Sequence, residues 1–318
     1  MKRASCPSPS RRRFIQGAGL GLAALAAGQL VPARVARASS PVVGKQAQAV
    51  LIDLSRCTGC QSCALACRAA NGGAANGEPP KRLAHDALSF VETCEVSCGQ
   101  GEVETVSVKR QCMHCLHPAC VAACTVGALR KTADGPVVYD AAKCIGCRYC
   151  QYACPFGVPA YDWDNPLGLI HKCQMCTDRL SQGDQPACVA SCPNGALRYG
   201  PRHKLLAEAH AQIASNPGRY VDHVYGESEA GGTSMLYLSP VPFVALGFPT
   251  LASSSISGRA EAVMVRTPVI ALSVAAVVSA LHLLMRRREA QSEFHLHDAA
   301  SAEVNAKDNG EEEANHGR

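Results

Sequence analysis

Cys144-Ile-Gly-Cys147-Arg-Tyr-Cys150-Gln-Tyr-Ala-Cys154-Pro155 decides how this 318-residue chain is read. Three of its cysteines stand two residues apart, close enough to wrap one corner of a cubane iron–sulfur cluster and leave the fourth iron to a distant cysteine. The same spacing occurs earlier, as Cys57-x2-Cys60-x2-Cys63-x3-Cys67. Two further groups are related to it: Cys112-x2-Cys115-x4-Cys120-x3-Cys124, and Cys173-x2-Cys176-x11-Cys188-x3-Cys192-Pro193. Sixteen of the 19 cysteines thus fall into four groups of four, which predicts four [4Fe–4S] clusters.

The C-x2-C-x2-C-x3-C-P run is that of bacterial two-cluster ferredoxins, where the fourth cysteine serves the partner cluster. An internal repeat agrees with this. Cys120-Val-Ala-Ala-Cys124-Thr-Val-Gly-Ala-Leu-Arg130 recurs as Cys188-Val-Ala-Ser-Cys192-Pro-Asn-Gly-Ala-Leu-Arg198. After the first copy, residues 128–131 and 136–140 flank Asp134-Gly135 and predict a short β-hairpin leading into Cys144. The expected fold is α+β: two interleaved ferredoxin-like modules. Structural zinc also uses C-x2-C, but as two pairs and not as runs of three. Disulfides suit an exported chain, yet cysteines two residues apart bridge poorly.

The rest of the chain addresses and anchors this domain. Ser10-Arg11-Arg12-Arg13-Phe14-Ile15-Gln16, an apolar stretch over 17–31 and Ala36-Arg37-Ala38 form a twin-arginine export signal with its cleavage site, ending at 38. Cys6 leaves with it. Those 38 residues carry seven basic and no acidic side chains; the remainder has 24 basic against 26 acidic, so no basic surface for nucleic acid is expected. Residues 267–285 are 19 uncharged, mostly apolar positions, a membrane helix about 28 Å long. Arg286-Arg287-Arg288 after it predict a cytoplasmic C-terminus, with the main domain on the periplasmic side of the inner membrane. The expected division is therefore signal 1–38, four-cluster domain 39–226, extended linker or partner-docking segment 227–266, membrane helix 267–285 and disordered tail 286–318.

A 47% apolar content excludes wholesale disorder, but with only 15 aromatic residues side-chain packing looks thin and clusters are expected to fill part of the interior. Lys172 and Arg148, beside ligands, are candidates for tuning a cluster potential or for ordinary surface charge. His114, His117 and His171 are expected to make local hydrogen bonds. Cys94 and Cys98, four apart as on one helix face, carry no assignment. No nucleotide-binding glycine loop, hydrolytic triad or C-x-x-C-H sequence is present. Clusters whose irons are all cysteine-bound carry electrons and bind no substrate, so no catalytic residue is expected.

Over residues 50–243 the chain resembles the four-cluster iron–sulfur subunits of the dimethyl-sulfoxide-reductase and formate-dehydrogenase superfamily. It is more closely similar to the hydrogenase-2-type (HybA-type) subunits. The resemblance lies in Gln111-Cys-Met-His-Cys115, Cys144 to Pro159, Asn165-Pro-Leu-Gly-Leu-Ile-His-Lys-Cys173, Gly231-Gly-Thr-Ser-Met-Leu-Tyr-Leu238, the chain's own signal and its single anchor. It implies a crossed ligation: Cys57, Cys60 and Cys63 with Cys192; Cys173, Cys176 and Cys188 with Cys67; Cys112, Cys115 and Cys120 with Cys154; Cys144, Cys147 and Cys150 with Cys124. It also implies the large and small subunits of a nickel–iron hydrogenase on one side and a quinone-reactive integral membrane subunit on the other. The alternative is the iron–sulfur subunit of a molybdenum or tungsten enzyme such as formate dehydrogenase. Two positions depart from the family pattern: Thr125, where proline is common, and Arg68 after Cys67.

Overall fold

The computed structural model describes residues 46–74, 77–97, 103–165, 168–258 and 266–289. The expected signal, residues 290–318 of the expected tail, and Cys98 lie outside them. The chain divides into two units, one up to Gly258 and one from Arg259 onward.

The first unit begins with β1 (Gln48–Asp53), α1 (Ser62–Ala70), β2 (Ser89–Ser97) and β3 (Val103–Gln111). There follow α2 (Ala119–Ala122), β4 (Leu129–Lys131), β5 (Val137–Tyr139), α3 (Tyr149–Ala153), β6 (Ala160–Tyr161) and β7 (Ile170–His171). It closes with α4 (Thr177–Ser181), α5 (Ala187–Ala190), β8 (Leu197–Pro201), α6 (Arg202–Ser215) and β9 (Met235–Leu238). The main sheet has the order β8-β1-β9, with β1 antiparallel to β8 and parallel to β9. Its central strand is covered on both faces, which is why it reads as a continuous apolar run and not as an alternating one. Ala49 and Leu51 pack with Leu205 and Ala209 of α6, while Val50 and Ile52 pack with Met113, Met175 and Val108 on the side of the cysteine loops.

One local plan occurs twice. In the first copy β1 ends at Asp53, whose carboxylate accepts from Ser55 N at 3.0 Å and starts a 3₁₀ turn running into Cys57. In the second, β5 leads to Asp140, whose carboxylate accepts from Ala142 N at 3.1 Å and starts a 3₁₀ turn running into Cys144. An aspartate in this capping position satisfies an amide the turn leaves free. The second copy pairs locally, β4 with β5, as the turn at Asp134-Gly135 predicted. The first instead pairs β1 with β8, which comes after the last cysteine group.

Three expectations are corrected. Cys94 is in the middle of β2, opposite Val106, and not on a helix, because Phe90-Val-Glu-Thr-Cys-Glu-Val96 alternates at the strand period. Residues 227–258 are not an extended linker: β9 is fully buried beside β1, and Val241, Phe243, Leu246 and Phe248 lie in the core. Four aromatics, Tyr225, Tyr237, Phe243 and Phe248, form one connected ring cluster with neighbouring centroids 4.7–5.4 Å apart. Aromatic packing thus contributes to the core beside the main sheet.

In the second unit α7 (Arg266–Glu289) has 24 residues, a mean hydropathy of 2.2 and no buried side chains. About 36 Å long at 1.5 Å per residue, it is long and apolar enough to cross a bilayer. Residues 286–289, assigned to the tail from sequence, continue this helix.

Gly135 joins the β4–β5 turn to β1. Its φ is +118°, and a Cβ there would lie 2.5 Å from the backbone oxygen of Gln48. Gly135→Ala is expected to cost about 1–3 kcal/mol. A fall of several degrees in the thermal midpoint of the purified protein is the check, and an unchanged midpoint would contradict this packing.

Candidate metal centres

The fold brings each cysteine run to a partner from elsewhere in the chain. Cys57, Cys60 and Cys63, from the loop and start of α1, line one cavity with Cys192. Cys67, one turn further along α1, lines a second with Cys173, Cys176 and Cys188. Cys115 and Cys120 lie within electrostatic reach of Cys112 and Cys154. Cys150 is within such reach of Cys124, Cys144 and Cys147. None of the 17 described cysteines forms a disulfide.

Each C-x2-C loop curls through a left-handed residue just before its second cysteine: Gly59 (φ 68°), His114 (φ 47°), Gly146 (φ 68°) and Met175 (φ 59°). This turns the amide toward the first cysteine. Gly146 N lies 3.4 Å from Cys144 Sγ, Met175 N lies 3.3 Å from Cys173 Sγ, and Gly59 N likewise donates to Cys57. Such N–H···S bonds favour the thiolate and tune what it binds. Gly59 must also lack a side chain for a second reason, because a Cβ would stand 2.6 Å from Ser107 Oγ. After the fourth cysteines, Gly127, Gly157 and Gly195 donate back to Cys124 O, Cys154 O and Cys192 O at 3.1–3.3 Å. The turn at Cys124 is therefore the same with Thr125 as the others are with proline. At the other departure α1 runs past Cys67 to Ala70, and Arg68 binds Asp86 at 2.6 Å.

Burial raises most of these thiols: Cys63 and Cys150 to about 11, Cys120 to about 12, and Cys115, Cys173 and Cys188 upward as well. Left alone they would hold their protons; a bound metal displaces them. Three lysines are buried among them: Lys109, Lys131 and Lys172, each at most 5% exposed. Among the described residues none is ion-paired to a carboxylate, since buried Asp53 binds Ser55 and Tyr220 while buried Glu229 binds His223 and Gly226 N. An uncompensated buried cation costs several kcal/mol. For Lys109 the compensation comes from sulfur once a bound group has ionised it: burial acts to lower the ammonium, but the thiolate charges of Cys188, Cys63, Cys67 and Cys173 outweigh it. At Lys131 burial wins and lowers the ammonium to about 8.

Sequence reasoning anticipated part of this. Lys172 is not surface charge: its Nζ donates to Val137 O at 2.5 Å and Cys173 O at 3.1 Å. Arg148 stacks on Tyr161 and Trp163, 3.9 and 4.3 Å from the ring centres. His114 hydrogen-bonds locally, Nδ1 accepting from Val137 N at 2.9 Å, whereas His117 and His171 are exposed. Burial, then Lys172, Lys131 and Lys109, hold the His114 imidazole neutral, and its Nε2 is a buried donor without a protein partner. Lys109 and Lys131 went unnoticed. The available signal was strand alternation, which puts Lys131 on the same face as buried Leu129.

Iron–sulfur clusters fit these residues. The donor set is all thiol, the surrounding charge is cationic, and a buried His114 donor remains for a bound group. A single zinc ion fits poorly, since it draws ligands to about 2.3 Å from one centre. Among the described residues no group of three Cys, His, Asp or Glu side chains is placed to hold one ion.

Comparison with known proteins agrees. Residues 103–202 match the family described as "4Fe-4S dicluster domain". The hydrogenase-2 operon protein HybA of Escherichia coli O157:H7 is 35% identical over 87% of this chain and 95% of its own length. A protein of Nitratidesulfovibrio vulgaris is 43% identical over 74% of this chain, which spans 66% of that relative. The nitrate-inducible formate dehydrogenase iron–sulfur subunit of Escherichia coli K12 is 35% identical over 60% of this chain and 67% of its own length. Cysteine spacing, cavities each lined by four cysteines and this likeness along nearly the whole relative converge: the chain belongs to the HybA-type family of iron–sulfur electron-transfer subunits.

Proposed function

We propose that the chain is a periplasmic, membrane-anchored wire of four [4Fe–4S] clusters, built as two interleaved ferredoxin-like modules. It passes electrons between the large and small subunits of a nickel–iron hydrogenase and a quinone-reactive integral membrane subunit. A [4Fe–4S] cluster exchanges one electron at a time and, with all four irons bound to cysteine, offers substrate no coordination site. The observation that carries the reading is the crossing of the cysteine groups. The outer quartets would be Cys57, Cys60, Cys63 with Cys192 and Cys67 with Cys173, Cys176, Cys188. The inner would be Cys112, Cys115, Cys120 with Cys154 and Cys144, Cys147, Cys150 with Cys124. Enclosure of the local β4–β5 hairpin between β1 and β8 supports the interleaving.

Proximities between quartets support a linear order. Cys63 of the first is within electrostatic reach of Cys188 of the second, Cys173 of the second is within reach of Cys112 of the third, and Cys120 of the third is within reach of Cys150 of the fourth. The two ends are also where cysteines reach solvent, at Cys60 and Cys147. Electrons would enter and leave there, with the buried quartets between. Export by the twin-arginine route suits a domain that must acquire its clusters before crossing the membrane. The apolar α7 would anchor it, with Arg286, Arg287 and Arg288 on the cytoplasmic side. A hydrogenase partner is favoured over formate dehydrogenase by the longer reach of the HybA likeness, 87% of the chain against 60%.

Cys192→Ala is expected to remove about a quarter of the iron and the spectroscopic signal of the cluster held by Cys57, Cys60 and Cys63. If the signal altered by Cys188→Ala disappeared instead, the crossed assignment would be wrong. Truncation after Gly258 should release the protein from membranes with its clusters retained, as read by fractionation and absorbance near 400 nm; continued membrane residence would exclude α7 as the sole anchor. Purified with its neighbours in mild detergent, the full chain should bring down nickel-containing subunits. A pterin-containing partner in their place would transfer the wire to the formate-dehydrogenase class.

A further inference from the structure

Lys109 occupies a position that no cysteine pattern announces. It lies on β3, 3% exposed, and lines the cavity of Cys67, Cys173, Cys176 and Cys188. A closed ring of hydrogen bonds fixes it. Lys109 Nζ donates to Gln111 Oε1 at 2.8 Å, Gln111 Nε2 donates to Tyr237 Oη at 2.6 Å, and Tyr237 Oη donates to Lys109 O at 2.9 Å. Of the four thiols whose charge acts most on it, three belong to the second quartet and one, Cys63, to the first. The other two buried lysines do not line this cavity: Lys131 is near Cys115 and Cys112, and Lys172 is near Cys120 and donates to the backbone oxygen of Cys173.

We propose that Lys109 is the positioning residue that sets the redox balance of the wire, raising the reduction potential of the cluster at its second position above what its thiolates alone would give. The inference rests on the four-cluster reading and adds which cluster is favoured for electron uptake. Reduction adds one negative charge to a group already enclosed by thiolates, and a fixed cation in a poorly polarisable interior favours the reduced form. In each transfer one cluster is reduced by one electron and its neighbour oxidised by one, with no bond made and no proton moved. The hydrogen-bonded ring matters because an ammonium on a free four-carbon stem would turn toward solvent, whereas this one is held at the sulfur cage.

The test is an anaerobic redox titration, followed by electron paramagnetic resonance, of the full-length chain in detergent with its clusters. Wild type would be compared with Lys109→Gln and Lys109→Arg, with iron and sulfide measured in each. In Lys109→Gln one midpoint should fall by at least a tenfold change in its one-electron equilibrium, ~59 mV. The step that moves should be the one that Cys176→Ser alters, and Lys109→Arg should restore most of the shift. Unmoved potentials, a common shift of all steps, or an arginine variant as low as the glutamine one would overturn the proposal. If Lys109→Gln loses iron, Gln111→Leu supplies the second route: it keeps the charge but frees it from its anchor, and must lower the same step by a smaller amount. No movement there also refutes the idea. Wild-type protein without iron and sulfide would instead bring down the cluster reading itself, an outcome the iron analysis separates from the others.

Discussion

Four sulfur donors have to meet around one buried group, and a short run of chain supplies only three of them in reach of one corner. In the proposed ligation the fourth comes from another segment, so the chain must return to its own beginning. Much of the topology follows. Cys63 and Cys67 stand one turn apart on α1 and line different cavities, so one helix braces two sites. β8, which follows Cys192, is held against β1, which precedes Cys57, and this pairing keeps the first cavity closed. β9 then seals the other edge of β1 and brings Tyr237 to the hydrogen-bonded ring at Lys109.

The same gathering of thiols creates an electrostatic demand. Buried thiolates repel one another, and buried lysines without carboxylates would each be costly by themselves. At Lys109 ionised sulfur and the cation compensate each other. Lys109, Lys131 and Lys172 surround His114 and keep it neutral, while the cysteines keep Lys109 charged. The interior therefore combines two kinds of core: an apolar and aromatic one along the main sheet, and a polar one whose charges balance only when the sulfur groups are in place.

Much of the candidate site was legible in the sequence because its spacings are local. C-x2-C-x2-C states which donors lie on one loop, and the repeat of Cys120-Val-Ala-Ala-Cys124 at Cys188 states that the plan is used twice. The hairpin around Asp134-Gly135 was legible for the same reason, a turn signal between two short apolar runs. Cys94 was misread because a separation of four residues was taken without the strand alternation around it. The stretch after residue 226 was misread because β9 has only four residues and its partner, β1, lies at the other end of the domain.

Taken by itself, the sequence determined the cluster-binding chemistry of the chain, its duplicated loops and the apolar segment now seen as α7, because each is written in the identity and spacing of neighbours. Only the tertiary structure decided which cavities Cys67 and Cys192 line, which lysines are buried beside sulfur, and which aromatics cluster beside the main sheet. Those are contacts between residues distant in sequence, formed when strands pair and side chains leave water. No local spacing encodes them, because the free energy that selects them comes from burial and charge compensation across the whole fold.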